Sequence, residues 1–165
     1  MKTLILVRHA KSSWKDETLS DFDRPLSKRG KKDAPFMGKL LKKNGIKPDL
    51  VVASSAIRAL ETAEVICKEM DFPKEKLIYD KKLYAAGDDD IIRVINSVND
   101  SVENLMIIAH NPGLTDLANM LSDKFIDNIP TAGVVELKFD ESWADVRSQC
   151  CTFVSFEYPK KYQDK

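Results

Sequence analysis

The chain has 165 residues, 43% of them hydrophobic and 32% charged, which fits a single domain over residues 1–165 with a full-sized core. Lysine plus arginine equals aspartate plus glutamate, 26 against 26, so the charge points neither to nucleic acid nor to an anionic membrane as partner. A small anionic substrate stays open, because a site needs only local positive charge. In chain order, "MKTLILVRHA" comes first. It has no small-residue cleavage site and runs straight into charge, so it reads as a buried strand, Leu4 to Val7, and not as a signal peptide. Arg8 and His9 follow that strand directly. A loop then leads into "DRPLSKRG", Asp23 to Gly30. There Pro25 fixes the backbone and Ser27 caps a helix that carries Met37, Leu40 and Leu41 on one face. Pro35 inside that span predicts a kink or a later start.

Leu50 to Ala53 is the second strand. Behind it, Ala59, Leu60, Ala63, Ile66, Cys67 and Met70 form an apolar helical stripe. A third strand, Leu77 to Tyr79, precedes "GDDD", whose acids suit a helix N-terminus, and then Ile91, Ile92, Ile95 and Val98. The fourth strand, Leu105 to Ala109, leads to a short helix with Leu114, Leu117, Ala118 and Leu121. Two more strands, Val134 to Phe139 and Thr152 to Phe156, follow each other closely enough to pair antiparallel at one edge. Strands alternating with helices predict a three-layer α/β/α sandwich, with a mostly parallel sheet of about six strands and helices on both faces. The tail from Tyr158 is charged and reads as loose. No apolar run is long enough to span a bilayer. Cys67, Cys150 and Cys151 show no C-x-x-C spacing, and adjacent cysteines rarely bridge. They read as reduced thiols of a cytoplasmic protein, and with only two histidines, far apart, no zinc site or other cofactor is expected.

In open α/β sheets, sites form outside the carboxyl ends of the strands. Here the first strand ends in Arg8 and His9, the second leads to Arg58 in the first turn of a helix, and the fourth ends at His110 before Asn111, Pro112 and Gly113. A cation at a helix N-terminus is unfavourable by roughly 0.3–1 kcal/mol unless an anion sits between it and the free N–H groups. A phosphate fits there, since guanidinium binds it bidentately. Alone, Arg58 reads as an arginine on a solvated helix face, and each histidine as a hydrogen-bonded structural residue. Their coincidence at one edge, joined by Arg24 in the loop after the first strand, points to an anion site.

The motifs "LVRHAKSSW", "DRPLSKRG", "SSAIRALETA" and "IIAHNPGLTD" together resemble those of the histidine phosphatase superfamily, and most closely its short SixA-like phosphohistidine phosphatases. The likeness covers nearly the whole chain in order, with Ala10 in place of the family's glycine. It implies a phosphoglycerate mutase-like fold. It also implies that His9 is the nucleophile, that Arg8, Arg58 and His110 bind the phosphoryl group, and that Arg24 is a further phosphate ligand. No metal is needed where arginines supply the charge.

Many larger members carry a glutamate after the third strand that protonates the leaving oxygen. Here that stretch reads "KKLYAAGDDD", with no carboxylate at Tyr84, Ala85 or Ala86. An alkoxide needs such an acid far more than an imidazole does. Asp21 is the candidate for what proton transfer remains, and reads equally as a surface aspartate. The short connections leave little room for a lid. The leading expectation is therefore a phosphatase with a phosphohistidine intermediate, acting on phosphohistidine in a protein. A small-molecule phosphomonoesterase with the same machinery is the alternative. A non-catalytic phosphate binder is a third reading, though it has no use for a nucleophile, and a metal hydrolase lacks its ligands.

Overall fold

The computed structural model describes residues 1–163. Six strands, β1 (Lys2–Arg8), β2 (Leu50–Ala53), β3 (Leu77–Tyr79), β4 (Asn104–Ala109), β5 (Val134–Phe139) and β6 (Thr152–Glu157), form one sheet in the order β3-β2-β4-β1-β5-β6. β1 pairs in parallel with β4, β4 with β2, and β2 with β3, while β5 is antiparallel to both β1 and β6. β6 therefore points the same way as β1. All strands except β5 deliver their carboxyl ends to one edge.

The helices are α1 (Lys28–Lys43), α2 (Ile57–Glu69), α3 (Asp88–Asn96), α4 (Gly113–Leu121) and the four-residue α5 (Lys160–Gln163). Alternation along β1 sets the layers. Leu4 and Leu6 face a cluster with Ile91 and Ile95 of α3 and Leu114 and Leu117 of α4. Ile5 and Val7 face the opposite cluster, built on Met37 and Leu41 of α1 and Ala59 and Ile66 of α2. Covering on both faces is why β1 and β4 read as unbroken apolar runs. β1 and β4 are neighbours, yet the chain leaves them toward opposite faces, to α1 and to α4. That divergence opens a crevice at their carboxyl ends.

Two glycines seat the helices that flank the crevice. A Cβ on Gly30 would lie 2.1 Å from the Lys11 carbonyl oxygen, and one on Gly113 would lie 2.1 Å from that of Ala86. Only glycine lets α1 close on the backbone two residues past His9, and α4 close on the loop before α3. Ser27 caps α1 as read, its Oγ accepting from Gly30 N at 3.1 Å. Pro35 does not delay the helix, which starts at Lys28 and runs on to Lys43. Ala34, Met37 and Leu41 are buried from that helix, and their packing outweighs the missing N–H, a cost of about 3 kcal/mol. From Tyr158 to Gln163 the tail is not loose, and its last two positions, Asp164 and Lys165, lie outside the described residues. It forms α5, with the Tyr162 ring 6.0 Å from that of Phe36 and Gln163 Nε2 donating to Asp33 Oδ1 at 3.0 Å. Asp33 is 1% exposed, and a buried carboxylate needs donors; the tail supplies one. Among the described residues no helix is long and apolar enough to cross a membrane.

Candidate active site

His9 is fixed by the backbone around it. Its N–H donates to the Ala109 carbonyl at 3.2 Å, and the next amide, Ala10 N, donates to Thr62 Oγ1 at 3.0 Å. Thr62 Oγ1 in turn donates to the Arg58 carbonyl at 2.7 Å, so α2 and the end of β1 are locked together. His9 Nδ1 lies 2.7 Å from the Ala10 carbonyl oxygen. A carbonyl only accepts, so Nδ1 carries the hydrogen and Nε2 keeps its lone pair. Burial pushes the imidazole pKa from 6.5 down to about 3; the Ala10 bond opposes this, and His110, Arg58 and Arg8 add to it. At neutral pH His9 is a neutral imidazole with one free nitrogen.

The arginines converge on it from three elements. Arg58, in the first turn of α2, donates to the Asp21 carbonyl at 2.6 Å and to Asp21 Oδ2 at 3.0 Å. Arg24 donates from Nη1 to Asp21 Oδ1 at 3.0 Å, from Nε to the Ser13 carbonyl at 3.1 Å, and from Nη2 to Ser12 Oγ. Arg8 donates to the Ile129 carbonyl at 3.0 Å, while its Nε is buried with no partner among the described residues. Burial, with Arg58 nearby, lowers the Arg8 pKa. His110 completes the group. Its ring centroid is 5.0 Å from that of His9, its Nε2 is 2.7 Å from Ser54 Oγ, and its Nδ1 is buried without a partner. If the Ser54 hydroxyl donates to Nε2, the hydrogen sits on Nδ1 as a free donor beside His9. Burial pushes the His110 pKa down to about 4, with Arg58 and Arg8 adding to the effect and Asp21 opposing it.

These side chains line a cavity of about 240 Å³. Its charged lining is Arg8, Lys11, Arg24 and Arg58, with the two histidines and no carboxylate. Trp14, 71% exposed, stands at the rim with the Arg24 guanidinium carbon 3.2 Å from its ring centroid. Among the described residues, no group of three or more His, Cys, Asp or Glu side chains is placed to hold a metal ion.

The profile of the histidine phosphatase superfamily (branch 1) matches residues 4–84, the stretch that carries Arg8, His9, Arg24 and Arg58. An uncharacterised Mycobacterium tuberculosis protein is 33% identical over 164 residues, 93% of this chain and 100% of its own length. The chain belongs to the histidine phosphatase superfamily. Its fold is that of the protein histidine phosphatase SixA complexed with tungstate, at a TM-score of 0.84 and 19% identity over 98% of this chain and 99% of that one. The phosphoglycerate mutase of Bacillus anthracis shares it at a TM-score of 0.61 and 21% identity, over 82% of this chain and 87% of that one.

In this superfamily member all the residues singled out from sequence meet at one edge of the sheet, but Asp21 has a different place from the one expected. Its carboxylate bridges Arg24 and Arg58 and accepts from Tyr84 OH at 2.7 Å. The Tyr84 hydroxyl first, with Arg58 and Arg24, holds its pKa down at about 2, against the opposing effect of burial. An acid ionised that firmly has no proton to give at neutral pH, so Asp21 does not fit the role of proton donor. It is the anion that offsets the cation at the start of α2, and it sets the spacing between two guanidinium groups. Sequence reasoning passed over Lys11, Ser12, Trp14, Ser54 and Thr131, which all touch or support the cavity. Trp14 and Ser54 lie inside the motifs already quoted and could have been found by asking what pairs with Arg24 and His110. Thr131 comes from the loop before β5 and carries no local signal.

The two depressed imidazoles fix a pH dependence of stability. Unfolded, each takes up a proton near pH 6.5. Folded, His110 resists to about 4 and His9 to about 3. Between those limits the unfolded chain binds more protons, so stability rises with pH through the window and is fully present above 6.5. The chain has two histidines. The slope between about pH 5 and 6 should therefore approach two protons, at most about 2.7 kcal/mol per pH unit. Urea unfolding across that range measures it; half that slope would mean that one ring is protonated in the native state, and a flat profile that both are.

Proposed function

We propose that this protein is a metal-independent phosphatase that works through a phosphohistidine on its own chain and acts on phosphohistidine in a protein. The observation that carries the reading is His9: a neutral imidazole with its hydrogen held on Nδ1, in a cavity whose charged lining is entirely cationic. Nε2 of His9 attacks phosphorus as the P–N bond to the substrate breaks, and the substrate ring, carrying a proton on its other nitrogen, leaves as neutral imidazole with the electron pair. Water then displaces His9, releasing inorganic phosphate. Arg8, Arg24, Arg58 and His110 hold the phosphoryl oxygens and offset their charge through both steps. Arg8 Nε and His110 Nδ1, each buried without a protein partner, suit that duty. Asp21 positions the arginines.

Because guanidinium groups supply the charge, turnover of a phosphohistidine peptide should be unchanged in excess EDTA. Vanadate or tungstate, which adopt five-coordinate geometry, should inhibit it. Activity lost to the chelator and restored by a divalent metal would overturn the proposal.

A further inference from the structure

We propose that a groove beside the catalytic cavity binds carboxylate side chains of the protein that presents the phosphohistidine. This rests on the function proposed above and names what that substrate must carry. A second cavity, of about 270 Å³, adjoins the first and shares Arg8, Lys11 and Thr131 with it. Arg29 of α1 and Lys160 of α5 form its far side, with Pro130 and Pro159 as stiff walls. Its charged lining is again all cationic, Arg8, Lys11, Arg29 and Lys160, in a chain of zero net charge. Arg29 alone of the four has an acidic neighbour, its Nε donating to Asp33 at 3.3 Å. Arg8, Lys11 and Lys160 make no ion pair among the described residues.

A concave run of cations, three of the four unpaired, raises the local concentration of anions. The catalytic cavity accounts for the phosphoryl group. The neighbouring groove is left for a second anionic group on the same substrate. Protein carboxylates suit it better than a second phosphate of a small metabolite because of what lies on the other rim. Trp14, 71% exposed, is held there against Arg24, and an ordered, exposed tryptophan is a mark of a macromolecular contact. From Trp14 across His9 to Lys160 the footprint is that of a protein surface, with the cationic groove at one end to set the register.

The test needs no turnover. A fluorescent, unphosphorylated histidine peptide with glutamates beside the histidine is titrated against its glutamine twin. The proteins compared are the wild type and Arg29→Gln/Lys160→Glu, neither position lining the catalytic cavity. Neither substitution removes Gln163, the other donor to Asp33. The wild type should bind the acidic peptide at least about tenfold tighter at low salt, with the preference fading as salt rises. The variant should lose the preference. The rise in thermal midpoint caused by inorganic phosphate, which reports the catalytic cavity, should be equal in both proteins. Lys160→Gln alone, at an exposed position, should give an intermediate preference and guards against a folding defect. Equal binding of the two peptides by the wild type, or a preference that survives in the variant, would overturn the proposal. So would pyrophosphate outbinding phosphate by a similar factor in the wild type only, which would put a second phosphate in the groove. An acidic-peptide preference without any hydrolysis of phosphohistidine would support the groove and overturn the catalytic reading instead.

Discussion

His9→Ala should abolish turnover, by at least about 10³-fold, and leave the fold in place. The chemistry removed is the one free imidazole nitrogen that the cavity holds at neutral pH. With Ser54 donating to its Nε2, His110 carries its hydrogen on Nδ1 and has no free lone pair, so it cannot stand in. The backbone that seats residue 9 does not need the ring: its N–H bonds to Ala109 and its carbonyl accepts from Ala132 N at 3.0 Å. The ring's own hydrogen bond in the protein is to the adjacent carbonyl, so removing it leaves no distant donor unpaired. Phosphate should still raise the thermal midpoint of the variant, since the guanidinium clamp remains. Brief reaction of the wild type with radiolabelled substrate should trap an acid-labile label at position 9. Undiminished turnover by the variant would end the covalent mechanism. A wild type that binds phosphate but never turns over would mark a binding module.

The features that were legible in the sequence are those set by local pattern. Val134–Phe139 and Leu77–Tyr79 show their strand bounds because the apolar run and the polar break coincide. Arg8, His9 and His110 stood out because a buried strand that ends in arginine or histidine has few structural reasons to do so. What could not be read depends on contacts distant in sequence. Asp21 looks like a loop aspartate until α2 and the segment before α3 bring Arg58 and Tyr84 to it, 37 and 63 residues away. Its charge state then follows from three donors that no window of sequence contains. The tail looks loose because its lysines are solvated. Its order comes from Asp33, 130 residues earlier. Pro35 signals a break that tertiary packing of α1 on α2 overrides.

The specificity constant should fall steeply as the leaving group becomes more basic. A general acid in the transition state is worth typically about 10²–10⁴-fold to a reaction that expels a basic oxygen. No such acid lines this cavity. Asp21 is ionised, and the Tyr84 hydroxyl is spent on Asp21, which raises its pKa. A phosphohistidine protonated on its second ring nitrogen departs as neutral imidazole, with a conjugate-acid pKa of about 6.5, and needs little further help. A nitrophenolate leaves less readily, and a sugar or glycerol alkoxide hardly at all. We therefore expect kcat/KM for a phosphohistidine peptide to exceed that for alkyl phosphates by at least about 10²-fold, with p-nitrophenyl phosphate between them. Asp21→Asn tests the positioning role. As the spacer between Arg24 and Arg58 it acts on phosphoryl binding, so its loss should lower all three substrates by a similar factor. A proton donor would be missed only by the basic leaving groups. Alkyl phosphates cleaved as fast as phosphohistidine would mean that a proton donor enters the cavity with the substrate, and the preference for a P–N bond would lose its physical basis.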